Sequence, residues 1–184
     1  MSTRLASRYE TQWGPGLVWI LEGRLVAVDL PETAGGLSRV TDLKAEDSSG
    51  FAVSETDRAA LEHWVQELES YFGGNRLGWS LEEVSLETDA LGPFARAVYT
   101  ALLEIPPGQA VAYGELAEMA GYPGAARAVG NVMAANPIPV VIPCHRVIRA
   151  DGTLGNYGDD PTWKSRLLEH ERRGPATRRR ATDS

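Results

Sequence analysis

Residues 113–130 read Tyr113-Gly114-Glu115-Leu116-Ala117-Glu118-Met119-Ala120-Gly121-Tyr122-Pro123-Gly124-Ala125-Ala126-Arg127-Ala128-Val129-Gly130. Helix formers run to Ala120, the tetrapeptide Gly121-Tyr122-Pro123-Gly124 stops them, and a second, alanine-rich helix is expected from about Ala125 to Ala135. Ala117, followed by Gly121 one helical turn later, allows two short helices to pack closely across a tight turn, so the segment predicts a helix-turn-helix.

The neighbouring punctuation frames this pair. Gly92-Pro93 marks a boundary, after which Phe94–Glu104 predicts an apolar helix ended by Ile105-Pro106-Pro107-Gly108. Downstream, Asn136-Pro137 closes the second helix and Ile138–Ile142 predicts a buried extended run. Val147–Leu154, centred on Asp151-Gly152, predicts a β-hairpin or wing. Asp160-Pro161 then opens a last helix, with the acid as N-cap and the proline in the first turn. The residues from Gly174 onward are small, polar and basic and read as a disordered tail.

The N-terminal half is β-rich. Tyr9–Trp13, Leu17–Leu21 and Arg24–Leu30 are strand candidates separated by Gly14-Pro15-Gly16 and Glu22-Gly23, and Leu81–Leu86 is a further candidate. Residues 31–54 predict a loop. Ser54 or Thr56 can then cap a helix carrying Leu61, Trp64, Val65, Leu68 and Phe72 at helical spacing, with Gly73-Gly74 stopping it. The expected fold class is α/β of the α+β kind. A small sheet-plus-helix domain over residues 1–90 precedes a mainly helical domain with a helix-turn-helix and wing over 91–173, and a basic tail follows over 174–184.

Composition narrows the function. The chain has 184 residues, 43% hydrophobic and 23% charged, enough to build a packed core. No apolar run approaches the length of a membrane span, and MSTRLASRYE has no apolar stretch of the kind secretory signals carry. The net charge of −7 is unevenly spread: residues 1–90 hold 7 basic and 16 acidic groups, residues 91–184 hold 11 and 9. The second half can therefore meet phosphates while the first keeps the chain soluble. A single cysteine cannot form an internal disulfide, so a cytoplasmic setting is expected. One cysteine and three scattered histidines offer no metal-ligand spacing, and no metal or cofactor is expected.

That cysteine, Cys144, stands in Ile142-Pro143-Cys144-His145-Arg146-Val147. A free cysteine is ordinarily an inert buried hydrophobe. Here Pro143 breaks the run before it, His145 and Arg146 are poor company for a sealed core, and a thiolate needs cationic or hydrogen-bonding neighbours. On a straight strand Cys144 and His145 would point to opposite faces, so the two can cooperate only if the chain turns. In the last helix Trp163, Leu167 and Glu171 share a face, and an acid there either marks its edge or pairs with something buried. In the second case Glu171 would hold the His145 imidazole in one tautomer. Arg127 is either a solvated helix arginine or, among the small residues Ala125, Ala126 and Ala128, a cation on a helix that can approach a DNA groove closely.

The segment from Ile105 to Glu171 resembles the methylated-DNA–protein-cysteine methyltransferases, the O6-alkylguanine-DNA alkyltransferases. The resemblance lies in Val111–Ala117, Gly124–Gly130, Asn136-Pro137, Pro143–Val147, Gly155-Asn156-Tyr157-Gly158 and Leu167–Glu171, in that order and spacing. It implies that Cys144 takes an alkyl group from O6 of a flipped guanine in double-stranded DNA, once per molecule, as a stable thioether. It further implies that His145 acts as base through a water, that Glu171 orients it, that Asn136 bonds near the sulfur, and that Tyr113 donates to N3 of the departing guanine. Arg127 would fill the gap in the base stack, on a helix whose Ala125, Ala126 and Gly130 approach the minor groove. Val147, Ile148, Asn156, Tyr157 and Gly158 would line the guanine pocket, and the protein would act as a monomer without a membrane partner.

The chain departs from the family's usual pattern at Ala95, where glutamine is common, at Tyr99, where tryptophan is common, and at Asp159-Asp160-Pro161, where small residues follow the glycine. Two acids at the pocket rim would restrict which alkyl groups enter. Two competing readings are a recognition protein that binds alkylated DNA without repairing it and a helix-turn-helix regulator with a reactive cysteine. Relatives of the first kind usually carry tryptophan in place of the cysteine, so Cys144 speaks against it; the length of the motif match speaks against the second.

Overall fold

Residues 5–29 form a three-stranded antiparallel sheet in a computed structural model that describes residues 4–31, 53–84, 91–155, 157 and 162–178. Its strands are β1 (Leu5–Thr11), β2 (Gly14–Leu21) and β3 (Arg24–Asp29), in the order β1-β2-β3. The first turn is Gln12-Trp13, with Thr11 paired to Gly14, so Gly14-Pro15-Gly16 lies inside β2 and is not the expected turn. The Thr11 hydroxyl explains this: it accepts from Trp13 N (3.0 Å) and donates to Gly14 O (2.7 Å), closing the hairpin two residues early. Gly16 is required opposite Tyr9, because a Cβ there would lie 2.2 Å from the tyrosine ring.

Helix α1 (Glu55–Phe72) starts at Ser54, whose hydroxyl accepts from Asp57 N at 3.0 Å. It buries Leu61, Trp64, Leu68, Tyr71 and Phe72, and Phe72 stacks on Tyr9 with ring centroids 5.8 Å apart. Most of the expected 31–54 loop lies outside the described residues. Leu81–Val84 forms a turn and not a strand: Ser80 N donates to Glu83 Oε2 (2.8 Å) and Val84 N to Ser80 O (3.1 Å), which curls the backbone. Ser85 and Leu86 lie outside the described residues.

Contacts divide the chain into residues 1–76 and 77–184, so the described residues 77–84 group with the second unit, upstream of the Gly92-Pro93 boundary read from the sequence. The Arg146 guanidinium supplies the reason, donating to Leu77 O at 2.7 Å. In this unit α2 (Pro93–Leu103) buries Val98, Tyr99, Ala101 and Leu102. The two-residue strand β4 (Val111–Ala112) leads directly into α3 (Tyr113–Met119), and α4 (Ala126–Ala134) follows. Between α3 and α4, Gly121 (φ 82°) and Gly124 (φ 83°) take the left-handed conformation that glycine adopts without penalty, and Tyr122 N closes the end of α3 on Ala117 O (2.8 Å). The helix-turn-helix stands as the sequence implied.

The next segment differs. Ile138, Val140, Val141 and Ile142 are buried, as expected, but residues 138–142 form a tight loop in place of an extended run. Asn136 Oδ1 accepts from Ile138 N (3.1 Å), Ile142 N donates to Ile138 O (2.9 Å), and Val140 is held at φ 74°. A β-branched residue in that region is strained, so the surrounding bonds impose the conformation. After the site turn, β5 (Val147–Ile148) pairs in parallel with β4, Val111 opposite Val147 and Ala112 opposite Ile148. The turn expected at Asp151-Gly152 is present, with Gly152 N donating to Arg149 O (2.9 Å) and Thr153 N to Asp151 Oδ1 (2.9 Å). β5 has no described return strand; its partner is β4.

Helix α5 spans Thr162–Arg178 and leaves helical geometry at Gly174 (φ 12°, ψ 176°). The Asp160-Pro161 cap lies outside the described residues. Helical backbone resumes after Gly174 and reaches Arg178, so the break expected to begin a disordered tail is a kink there; residues 179–184 lie outside the described set.

Candidate active site

Pro143 turns the chain at the cysteine. Its φ of −80° and ψ of 58° form an inverse γ-turn in which Cys144 N donates to Ile142 O at 2.8 Å. Cys144–Arg146 then make a single 3-10 turn, closed by Arg146 N on Pro143 O (2.8 Å) and Val147 N on Cys144 O. The opposite-face geometry of a straight strand is thereby avoided.

Sequence reasoning treated His145 and Arg146 as arguments against a sealed core, and the structure corrects this. Cys144 is 7% exposed, His145 0%, Arg146 2% and Glu171 3%. The three polar groups can be buried because they satisfy one another. His145 Nε2 bonds Glu171 Oε1 at 2.7 Å; Arg146 donates to Glu171 Oε2 through Nε (3.0 Å) and to Oε1 through Nη2 (2.8 Å). Gly108 N adds a bond to Glu171 Oε2 (2.7 Å), and Arg146 Nη1 reaches Ile105 O (2.6 Å). Of the two readings of Glu171, the buried pairing is the one realised, on the face it shares with Trp163 and Leu167, both also buried.

Electrostatics follow from this arrangement. Burial alone would raise the Glu171 carboxyl, but the bonds and charges of His145 and Arg146 hold it at about 2, so it is a carboxylate. Burial pushes His145 down, against the pull of Glu171, and the Arg146 and Lys164 charges push the same way. A neutral His145 facing a carboxylate must present Nε2–H to it, which leaves the Nδ1 lone pair as the ring's basic atom. Nδ1 is fully buried and has no protein partner among the described residues. The Cys144 thiol is raised by burial, against lowering influences from Asn136, Tyr157 and the Lys164 charge, so the resting sulfur carries its proton.

Around the sulfur, Asn136 Nδ2 donates to Sγ at 3.1 Å and to Ile142 O at 2.9 Å, and the Tyr157 hydroxyl lies 3.7 Å from Sγ. Tyr113, at the first position of α3, is half-buried; burial and the nearby Cys144 raise its phenol, against Arg149, and keep it protonated. A Cβ at Gly130 would meet the Tyr113 ring at 4.0 Å, so α4 and the tyrosine are in contact range. On α4, Arg127 and Ala128 are exposed, and Ala125, Ala126 and Gly130 are half-buried. Val147 is buried and Ile148 half-buried, in the strand that follows the sulfur. Asn156, Gly158 and Asp159-Asp160 lie outside the described residues.

Three participants escaped the sequence reading: Arg146 as the partner of Glu171, the amide of Gly108, and Lys164. Lys164 is 1% exposed, with Nζ 5.7 Å from the centroid of the Tyr113 ring. Its signal was its place seven residues, two helical turns, before Glu171 on a face that also carries Leu167 and Leu168. Among the described residues no group of three or more His, Cys, Asp or Glu could hold a metal, and no helix is long and apolar enough to cross a membrane.

Residues 93–173 match the 6-O-methylguanine DNA methyltransferase, DNA-binding domain family. A methylated-DNA–protein-cysteine methyltransferase of Shigella flexneri is 37% identical over 172 residues, covering 91% of this chain and 95% of the relative. Among solved structures, the Mycobacterium tuberculosis O6-methylguanine methyltransferase superposes with a TM-score of 0.69 at 32% identity, covering 95% of this chain and 96% of the other. A complex of the M. tuberculosis protein with DNA gives 0.68 at 31%, with 93% and 95% coverage.

Proposed function

The chain belongs to the methylated-DNA–protein-cysteine methyltransferase family, and on that premise we propose that Cys144 is the atom that accepts the alkyl group. The observation that carries the assignment is the buried sulfur held by Asn136 Nδ2 at 3.1 Å, one residue from a histidine whose Nε2 is tied to Glu171. A thiol kept protonated by burial needs a base, and His145 offers Nδ1 for that proton through a bridging water.

In the reaction Sγ attacks the alkyl carbon, the carbon–O6 bond breaks, and its electron pair passes to the guanine. The thiol proton goes to His145, and N3 of the departing base takes a proton from Tyr113, which offsets the charge developing on the purine. The product is a thioether, so each molecule reacts once and is spent.

The substrate is double-stranded DNA containing O6-alkylguanine. The target atom is inaccessible in a stacked duplex, and a mispaired base costs less to extrude. Arg127, exposed on α4, occupies the gap in the stack, while Ala125, Ala126 and Gly130 let the helix backbone approach the minor groove without reading sequence. Val147, Ile148 and Tyr157 border the guanine pocket; Asn156 and Gly158 join them by resemblance alone. The protein acts as a monomer in the cytoplasm, where its single thiol stays reduced.

The test is a mass measurement. After incubation with duplex carrying O6-methylguanine, the intact protein is expected to gain one methyl group on the Cys144 peptide, saturating at one per molecule, and Cys144→Ala none. Tight binding with no mass gain would overturn the transfer reading in favour of recognition without repair.

A further inference from the structure

The parallel pair β4–β5 delivers two side chains to one end. Val111 lies opposite Val147 and Ala112 opposite Ile148, so the next residue on each chain, Tyr113 and Arg149, leaves the ladder at the same edge. Neighbouring strands are about 5 Å apart, which sets the two backbones side by side there. The backbone of Arg149 is fixed on both sides: its N donates to Thr153 O (2.9 Å) and its O accepts from Gly152 N (2.9 Å). Its side chain lies along the stretch that leads to Tyr157. A Cβ at Gly155 would meet Arg149 Nε at 3.3 Å and Cγ at 3.7 Å. Two residues on, the Tyr157 hydroxyl is 3.7 Å from Sγ.

Arg149 is exposed, and among the described residues its guanidinium makes neither a hydrogen bond nor an ion pair. The nearest acid in sequence is occupied elsewhere: Asp151 Oδ1 accepts from Thr153 N (2.9 Å) and Thr153 Oγ1 (2.6 Å). Burial and the sulfur raise the Tyr113 phenol while the Arg149 charge pulls against them, so cation and phenol sense each other. A planar cation fixed at its stem and open at its tip suits two-point contact with a phosphate.

We propose that Arg149 holds a phosphate flanking the extruded nucleotide, beside Tyr113 at the mouth of the guanine pocket. The inference rests on the reading of Tyr113 as the donor to N3 and adds a backbone contact to it. In a purine a single ring carbon separates N3 from N9, which carries the sugar. A donor to N3 therefore stands at the sugar edge of the base, and the cation next to that donor meets the flanking phosphates. Such a contact carries no base identity; formed only when the nucleotide has left the stack, it favours the extruded form over the stacked one. Arg127 fills the gap in the stack, and Arg149 holds the nucleotide that left it.

The experiment uses the full chain and a duplex with one O6-methylguanine, carrying either ordinary phosphates or uncharged methylphosphonates on both sides of the lesion. Single-turnover methyl transfer by Arg149→Ala is expected to be about tenfold slower on the ordinary duplex, the scale of one charge-assisted hydrogen bond. The slope of log binding constant against log salt should shrink by about one. Arg149→Lys keeps the charge without the fork and should recover part of the loss. The methylphosphonate duplex should slow the parent by a similar factor and Arg149→Ala no further. Free O6-benzylguanine, which brings no phosphate, should react alike with all three proteins. Full additivity of the two changes would overturn the proposal. So would equal slowing with O6-benzylguanine, which would make Arg149 a prop for the stretch that leads to Tyr157. Binding reads the contact without transfer: in a Cys144→Ala background, Arg149→Ala should weaken binding to damaged duplex more than to undamaged. That loss, beside a wild-type protein that gains no methyl group, would strike the acceptor reading and leave the phosphate contact standing.

Discussion

Asn136 and Cys144 are joined at 3.1 Å by an Nδ2–H···Sγ bond, and the same nitrogen donates to Ile142 O at 2.9 Å. One amide therefore holds the sulfur and the loop that presents it, while its Oδ1 accepts from Ile138 N (3.1 Å). Asn136→Ala is expected to cost about 1–3 kcal/mol of stability, because Ile138 N loses its acceptor and Ile142 O one of its two donors, and to slow alkylation of Cys144 by removing a donor to the thiolate. Asn136→Asp sharpens the test. It keeps Oδ1 but sets a carboxylate against the sulfur, so iodoacetamide should react still more slowly than with the alanine variant. An aspartate variant as reactive as wild type would show that the Nδ2 donor does not matter.

Glu171 predicts a specific acid response. Its carboxyl is held at about 2 against an ordinary 4.5, so the fold favours the carboxylate. That stabilisation is fully present above about 4.5 and is lost as pH falls from there through 2; it amounts to something on the order of 3 kcal/mol. His145 acts in the same direction. Its folded value is depressed below 6.5, so the unfolded chain takes up its proton first as pH falls. Glu171→Gln should cost about 3–5 kcal/mol at neutral pH by leaving the buried Arg146 charge uncompensated. Its urea midpoint should then fall less than that of wild type across the acid window. Parallel midpoint curves would refute the buried-carboxylate account.

The parts of the site that local chemistry encodes were legible in the sequence. Gly121 and Gly124 flank the turn between α3 and α4 because it needs left-handed residues, and spacing puts Trp163, Leu167 and Glu171 on one face, although it left open whether the acid marked the edge of that face or was paired inside. What escaped depends on long-range contacts. The β4–β5 bridge is two residues a side and has no periodicity to detect, yet it sets the start of α3, and so Tyr113, beside the chain that follows Cys144. Val140 at φ 74° contradicts the extended preference of a β-branched residue; only the Asn136 and Ile138 bonds make it hold. Lys164 resembles an ordinary snorkelling lysine until the elements around α5 bury it. His145 and Arg146 looked unsuited to a core because the sequence does not reveal that Glu171 can satisfy both.

Arg127 separates base extrusion from chemistry. It is exposed on α4, with no described role in holding the sulfur. Arg127→Ala should slow repair of damaged duplex on the order of tenfold to a hundredfold, because nothing fills the vacated stack. Reaction with free O6-benzylguanine, which needs no extrusion, should change little. Comparing single-turnover rates on the two substrates checks this; equal slowing would remove Arg127 from the DNA interface.

Tyr113 separates leaving-group assistance from thiol activation. Its phenol is raised by burial and by the neighbouring sulfur, so it is a protonated donor throughout the neutral range. Tyr113→Phe keeps the ring that faces Lys164 and Gly130, so packing should survive. Only the hydroxyl is lost, and with it the proton that offsets charge on the departing purine. Methyl transfer from DNA should slow on the order of a hundredfold. Iodoacetamide expels iodide and needs no proton at a purine nitrogen, so its rate with Cys144 should stay near that of wild type. Equal slowing of both reactions would mean that Tyr113 tunes the sulfur, and the donor role would have to pass to another group.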